Sequence, residues 1–365
     1  MKVENVLQAL STVQEPDLGK DLVTLNMVRD IVINGNNVSF TVVLTTPACP
    51  LKDMIKTACV KAIHELIGDE IMIQVNFISE MNTKRTGPEI VLPKVKNIIA
   101  IVSGKGGVGK STVASNFALA LAADGAKVGL MDADIYGPSQ HIMFGVRGER
   151  PLMKTIDGKG MILPLEKYGI RLMSIGLLVD EKNAVVWRGP MASSAIKQFI
   201  TEVFWDELDY LVIDMPPGTG DIHLTLLQSV PVTGVIVVTT PQDVALADAK
   251  KAIAMFGQAQ LKAPLIGLVE NMSYFISEEA PQHKYYIFGK DGGKRLAEEY
   301  DIPFLGQIPL IQRIREGGDE GRPVMIGEDL SAKKAIHDFA GNAARSIAMI
   351  NANINIEKRA ALVVA

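Results

Sequence analysis

The sequence predicts an α/β protein: a doubly wound, mostly parallel sheet preceded by a small α/β domain. Three observations carry this. From residue 96 onward, short apolar runs without polar alternation recur between helical stretches, which is how strands covered on both faces read. The first of them, residues 98–102, leads directly into the glycine-rich "SGKGGVGKST", Ser103 to Thr112. Ahead of it lies a different pattern, two β-branched runs around "NGNN", set apart by the polar, proline-containing "SEMNTKRTGPEIVLPK".

In order along the chain, residues 3–10 read as a helix, and 26–33 and 38–45 as strands joined by a hairpin at Asn34 to Asn37. From Pro50 the apolar positions Leu51, Ile55, Ala58, Ala62 and Leu66 recur at helical spacing, and 71–77 alternates as a strand. This gives a domain over 1–80 and a linker over 81–95. The large domain, 96–352, has strands at 98–102, 128–131, 210–213, 234–239, 265–269 and 304–308, and a terminal helix after Ala332. Residues 353–365 read as a tail.

Composition narrows the function. The chain has 365 residues, 48% of them hydrophobic, enough for a sizeable core, and a net charge of -4 that offers no broad basic field to nucleic acid. Glu4 interrupts any signal-peptide core, and no apolar run approaches the roughly 18 residues of a membrane span. A cytoplasmic protein without nucleic-acid or membrane partners is expected. Its two cysteines, Cys49 and Cys59, make neither a disulfide framework nor a self-sufficient metal motif.

The glycine-rich loop fits two patterns. Gly104, Gly106 and Gly109 satisfy the dinucleotide fingerprint, with Asp132 in the place of a ribose-binding carboxylate, whereas Gly104 to Ser111 satisfies G-x-x-x-x-G-K-[ST]. Lys110 and Ser111 decide for the second: a lysine meets β- and γ-phosphates and a hydroxyl meets magnesium, and neither is needed for a dinucleotide. Asp214, ending "YLVID", adds a carboxylate for the metal's shell. The nucleotide site is therefore expected at Gly104, Lys105, Gly106, Gly107, Val108, Gly109, Lys110, Ser111 and Thr112, with a nucleotide phosphate and Mg2+ as ligands. Lys105 lies too early in the loop to serve its own γ-phosphate but can reach a neighbouring chain's; an exposed lysine on a solvated loop is the plain alternative.

"GKGGVGKS" resembles the deviant P-loop of the MinD/ParA class of ATPases. "MDADIYGPS", "DMPPGTGD", "ENMSYF" and "FLGQIP" are together similar to the Mrp/ApbC iron-sulfur cluster carrier ATPases, and the first domain, with "TTPACP", is similar to one often fused ahead of them. The resemblance implies a homodimer sandwiching ATP, in which Lys105 acts on the partner's site like an arginine finger. It implies that Asp134, in a first switch, orients the attacking water while Asp132 supports magnesium. Gly218, in a second switch, would present its N–H to the γ-phosphate, and Asn271 would read adenine. The implied cargo is an iron-sulfur cluster, [4Fe-4S] and labile, exchanged with an assembly scaffold and recipient apoproteins.

One departure matters. Many such proteins follow "ENMSYF" with a C-x-x-C pair; here the stretch is "ISEEAPQHKYYIFG", without cysteine, similar to a cyanobacterial and plastid-type branch. His283 within it reads as polar surface. Cys59 shares the apolar side of its helix with Ile55, Ile63 and Leu66 and reads as buried. Cys49, before Pro50 at the expected first helical position, reads either as a packed loop thiol or as a reactive thiol and the iron-sulfur candidate. The alternative is a membrane- or DNA-associated positioning ATPase of the MinD/ParA type, against which the C-terminal "INIEKRAALVVA" makes a poor amphipathic anchor. A redox ATPase resembling the nitrogenase iron protein needs cysteines beyond Cys59, and none exist.

Overall fold

A computed structural model describes residues 1–80, 91–179, 189–257, 263–277 and 280–352. Most of the expected linker, 81–90, and all of the expected tail, 353–365, lie outside these residues. The chain divides into two compact units, Met1–Asn82 with Ala348–Ala365, and Thr83–Ile347.

In the first unit, Val28–Asn34 and Asn37–Leu44 pair antiparallel around a two-residue turn at Gly35 and Asn36, and Met72–Ser79 adds parallel to the second strand. The helices Val3–Leu10 and Lys52–Ile67 pack together over this sheet. Their apolar stripes supply Val6, Leu10, Ile55, Cys59 and Ile63 to a core that includes Phe40 and Val42. Two expectations need correction. Leu66 is 51% exposed, because the inward face of the second helix runs through Ile55, Cys59, Ala62 and Ile63. That helix also begins at Lys52, with Leu51 as its N-cap, so Pro50 belongs to the preceding turn and is not the first helical residue.

The second unit is built on an eight-stranded sheet. Its strand order is Leu165–Lys167, Ile170–Ser174, Val128–Asp132, Leu208–Asp214, Val95–Val102, Gly234–Thr239, Leu265–Glu270, Phe304–Gln307. All neighbours are parallel except the first pair. Ile98, Ile99, Ala100, Ile101 and Val102 are each fully buried, so the central strand has no solvent face and needs no polar alternation. Each such Ile or Val side chain stabilises the fold by about 1.5–3 kcal/mol. The two strands nearest one edge, Leu165–Lys167 and Ile170–Ser174, were not expected: "LEK" and "IRLMS" are short and mixed in polarity. Among the described residues no helix is long and apolar enough to cross a membrane.

Candidate nucleotide site

The strand order places the C-terminal ends of Val128–Asp132, Leu208–Asp214 and Val95–Val102 side by side. Asp214 is in register with Ile101 on one side and with Asp132 on the other. Chain order reverses direction here, and ligands of open α/β sheets bind in the crevice so formed.

From the central strand the chain turns through Ser103 to Gly109 into the helix Lys110–Ala123. Gly104 is required by close approach: a Cβ there would lie 2.2 Å from the backbone of Asp248. Gly109 is required twice, by its φ of +82° and by the Asn271 amide, which a Cβ would meet at 2.2 Å. Gly106 and Gly107 are exposed and Val108 is buried, so the loop presents backbone to solvent while one side chain anchors it. Gly104→Ala should lower the thermal midpoint, at about 1–3 kcal/mol for an overpacked site, and should weaken nucleotide binding with it. A melting curve with and without ATP checks both.

Lys110, only 6% exposed, directs its ammonium to Asp214 and lies 3.2 Å from Ser111 Oγ. Gln140 completes this group: its amide donates to Asp214 Oδ2 at 2.8 Å and to the Ser111 carbonyl at 3.0 Å, while its oxygen accepts from Ser115 at 2.7 Å. Thr112, the next residue, lines a cavity of about 360 Å³ with Ser139, Met143, Asn271, Pro309 and Ile314. Its size and its few polar groups suit a small ligand.

Three residues sit where expected but are engaged differently. Asp132 Oδ2 accepts from the Ser139 and Gln140 N–H groups, both at 3.0 Å, and from the Ser174 hydroxyl at 2.9 Å, and Oδ1 accepts from the Asp134 N–H at 3.2 Å. These contacts organise the Asp134–Gln140 segment around Asp132. Burial, then the adjacent Asp214 charge, push its carboxyl upward. The Gly218 N–H, expected to point at a phosphate, donates to the Ser103 carbonyl at 2.9 Å. Asn271 donates to the Val108 carbonyl at 2.8 Å, bracing the glycine loop while lining the cavity. Asp134 is 8% exposed, with Oδ1 accepting from the Gly137 N–H at 3.1 Å; burial raises its carboxyl above the ordinary value. Lys105 is half-buried, and its ammonium has no ion pair among the described residues.

Cys49 belongs to the first unit, in the loop between Asn37–Leu44 and Lys52–Ile67, half-buried against that unit's core. Cys59 is fully buried, and burial pushes its thiol up to about 12. Among the described residues no group of three or more His, Cys, Asp or Glu is arranged to hold a metal.

The family model described as NUBPL iron-transfer P-loop NTPase matches residues 94–344, the whole span that builds this site. The chain belongs to that family. As a NUBPL-type P-loop NTPase it carries a second match over residues 3–75, to the family model described as iron-sulfur cluster assembly protein. An iron-sulfur cluster carrier protein of Synechocystis sp. is 47% identical over 351 residues, covering 96% of this chain and 99% of that one. One of Escherichia coli strain K12 is 44% identical, covering 91% and 88%. A solved nucleotide-binding protein of Archaeoglobus fulgidus in complex with ADP is 38% identical with a TM-score of 0.57, over 65% of this chain and 91% of that one.

Gln140 and Ile314 of this P-loop NTPase lie outside every motif legible in its sequence, although they help to build the site and its cavity. For Gln140 the available signal was position: it follows the strand end at Asp132 by a short loop, where polar residues face the crevice.

Proposed function

We propose that the chain is a magnesium-dependent ATPase acting as a cytoplasmic homodimer, which binds an iron-sulfur cluster and passes it to recipient apoproteins. The observation that carries the nucleotide half is the meeting of Lys110, Ser111 and Asp214 at adjoining strand ends beneath a glycine loop. The curated relatives, similar over nearly the full chain and named as iron-sulfur cluster carriers, support the cargo half. MinD-like positioning ATPases share the fold, but a likeness of 23% identity speaks for fold alone.

The donor set fits magnesium: the Ser111 hydroxyl and Asp214 carboxylate are hard oxygen ligands, and magnesium keeps most of its water. Bound there, the ion would neutralise charge between the β- and γ-phosphates. The chain's own residues do the rest. Backbone N–H groups of Gly104 to Thr112 and the helix end receive the phosphates, and Lys110 turns from Asp214 toward them. Asp134, nearly buried and raised in pKa, aligns the attacking water. Asp132 fixes the segment that carries Asp134. Asn271 uses its remaining amide hydrogen and its oxygen on adenine, and Gly218 gives its N–H to the γ-phosphate after leaving Ser103.

Lys105 serves the partner's site. Lys105→Ala should keep ATP binding and lose most turnover, on the order of 10³-fold if it matches a finger residue. Mixed dimers of Lys105→Ala and Asp134→Ala chains should recover part of the activity; verified heterodimers without recovery would count against action across the dimer. The whole reading is tested by anaerobic reconstitution: iron and sulfide should load, transfer to an apoprotein, and coexist with ATP hydrolysis. A chain that hydrolyses ATP but never retains iron would lose the carrier assignment.

A further inference from the structure

His223 lies in the first turn of the helix Asp221–Ser229 and is 1% exposed. Its backbone N–H donates to the Gly220 carbonyl at 3.1 Å, and its Nε2 is 3.0 Å from the Pro216 carbonyl oxygen. A carbonyl only accepts, so Nε2 carries the proton and Nδ1 is a bare acceptor. Nδ1 is buried with no hydrogen-bond partner among the described residues, and the ring meets Phe256 edge-on at 6.3 Å. Burial holds the imidazole below its ordinary pKa, in the neutral form.

For packing alone this is a poor choice. A phenylalanine would fill the same space without an unsatisfied buried acceptor, which is disfavoured in apolar surroundings. What the imidazole supplies is one bond, to Pro216. Local rules broken against stability mark functional positions.

That bond has a mechanical consequence. Fixing the Pro216 oxygen fixes the Pro216–Pro217 peptide plane, and the Pro217 ring fixes its own φ. The direction of the Gly218 N–H then depends mainly on one dihedral, ψ of Pro217. Gly218, with φ of +90° and no atom within 4 Å of where a Cβ would stand, is free to accept that rotation. Met215 is tied on the other side, its N–H on the Ile101 carbonyl at 3.1 Å.

We propose that His223 is a positioning residue of this ATPase: by holding the Pro216 carbonyl it makes the Gly218 N–H swing about a single bond, from the Ser103 carbonyl to the terminal phosphate. The proposal rests on the ATP-hydrolysing reading above and adds to it the element that sets the second loop.

The test compares His223→Phe, which keeps the ring volume and removes the donor, with His223→Gln, whose Nε2 amide restores a donor. His223→Phe should lower kcat by about tenfold while KM for ATP stays within about twofold, since the glycine loop is intact. His223→Gln should recover most of the loss. As an independent readout, a non-hydrolysable ATP analogue should slow amide exchange at Gly218 in the wild-type chain and much less in His223→Phe. Should His223→Phe fail to fold, His223→Met takes its place with the same outcomes. Wild-type kcat and wild-type protection in the donor-less variant, or a glutamine variant as slow as phenylalanine, would overturn the proposal. Absence of ATP turnover in the wild-type chain would instead remove the ATPase reading itself.

Discussion

Lys110→Ala is expected to abolish ATP binding and, unlike a surface lysine change, also to destabilise the ligand-free protein. Its ammonium is 6% exposed and rests on Asp214, which is fully buried and stands beside the equally buried Asp132. Removing the cation leaves two neighbouring carboxylates in a low-dielectric crevice, and breaking one partner from a buried ion pair costs about 3–5 kcal/mol. The same deletion takes from the phosphates their one lysine rooted at the helix start. Calorimetric titration should show no ATP heat at concentrations that saturate the wild type, and urea unfolding should show a lower midpoint. Lys110→Met, which preserves the aliphatic stem, separates the effects: stem packing returns while the charge does not. Near-wild-type ATP affinity in either variant would remove Lys110 from the phosphate site.

How much of this could be read without coordinates depends on whether a feature is periodic or made by convergence. The strands of the large sheet were legible because burial on both faces leaves an unbroken apolar run, as in Ile98 to Val102. The glycine loop was legible because its backbone geometry restricts residue type locally, as the clash at Gly104 and the positive φ of Gly109 illustrate. Hydrogen-bond partners were not. The donors to Asp132 arrive from two separate segments, Ser139 and Gln140 from one and Ser174 from another. Gly218 is held by Ser103, more than a hundred residues earlier. Such pairings are fixed by strand order, which no local pattern encodes. The misplacement of Pro50 and Leu66 has a local cause: both lie at the ends of the helix, which starts at Lys52, and Leu66 falls in its last turn, off the buried face of Ile55, Cys59, Ala62 and Ile63.

Cys49→Ser is expected to abolish retention of reconstituted iron and sulfide while leaving ATPase activity unchanged, and Cys59→Ser to cost stability more than cluster content. The chain has only these two thiols. A thiolate is the form that binds iron, and Cys59, fully buried with its thiol pushed up to about 12, stays protonated at neutral pH. Cys49 is half-buried in a loop, so iron can reach it. A homodimer would offer two such thiolates, fewer than the four that usually hold a cluster, and the remaining iron positions would need small-molecule or apoprotein thiols. A cluster so held is labile, which suits transfer. Alkylation should reflect the same asymmetry: iodoacetamide modifies Cys49 in the native chain and Cys59 only after unfolding. Cys59→Ser should retain iron but lose about 1–3 kcal/mol of stability, because a hydroxyl replaces a thiol in an apolar core. Equal iron and sulfide in wild type and a folded Cys49→Ser chain would strip the first unit of its cluster ligand and leave a nucleotide switch without a demonstrated cargo.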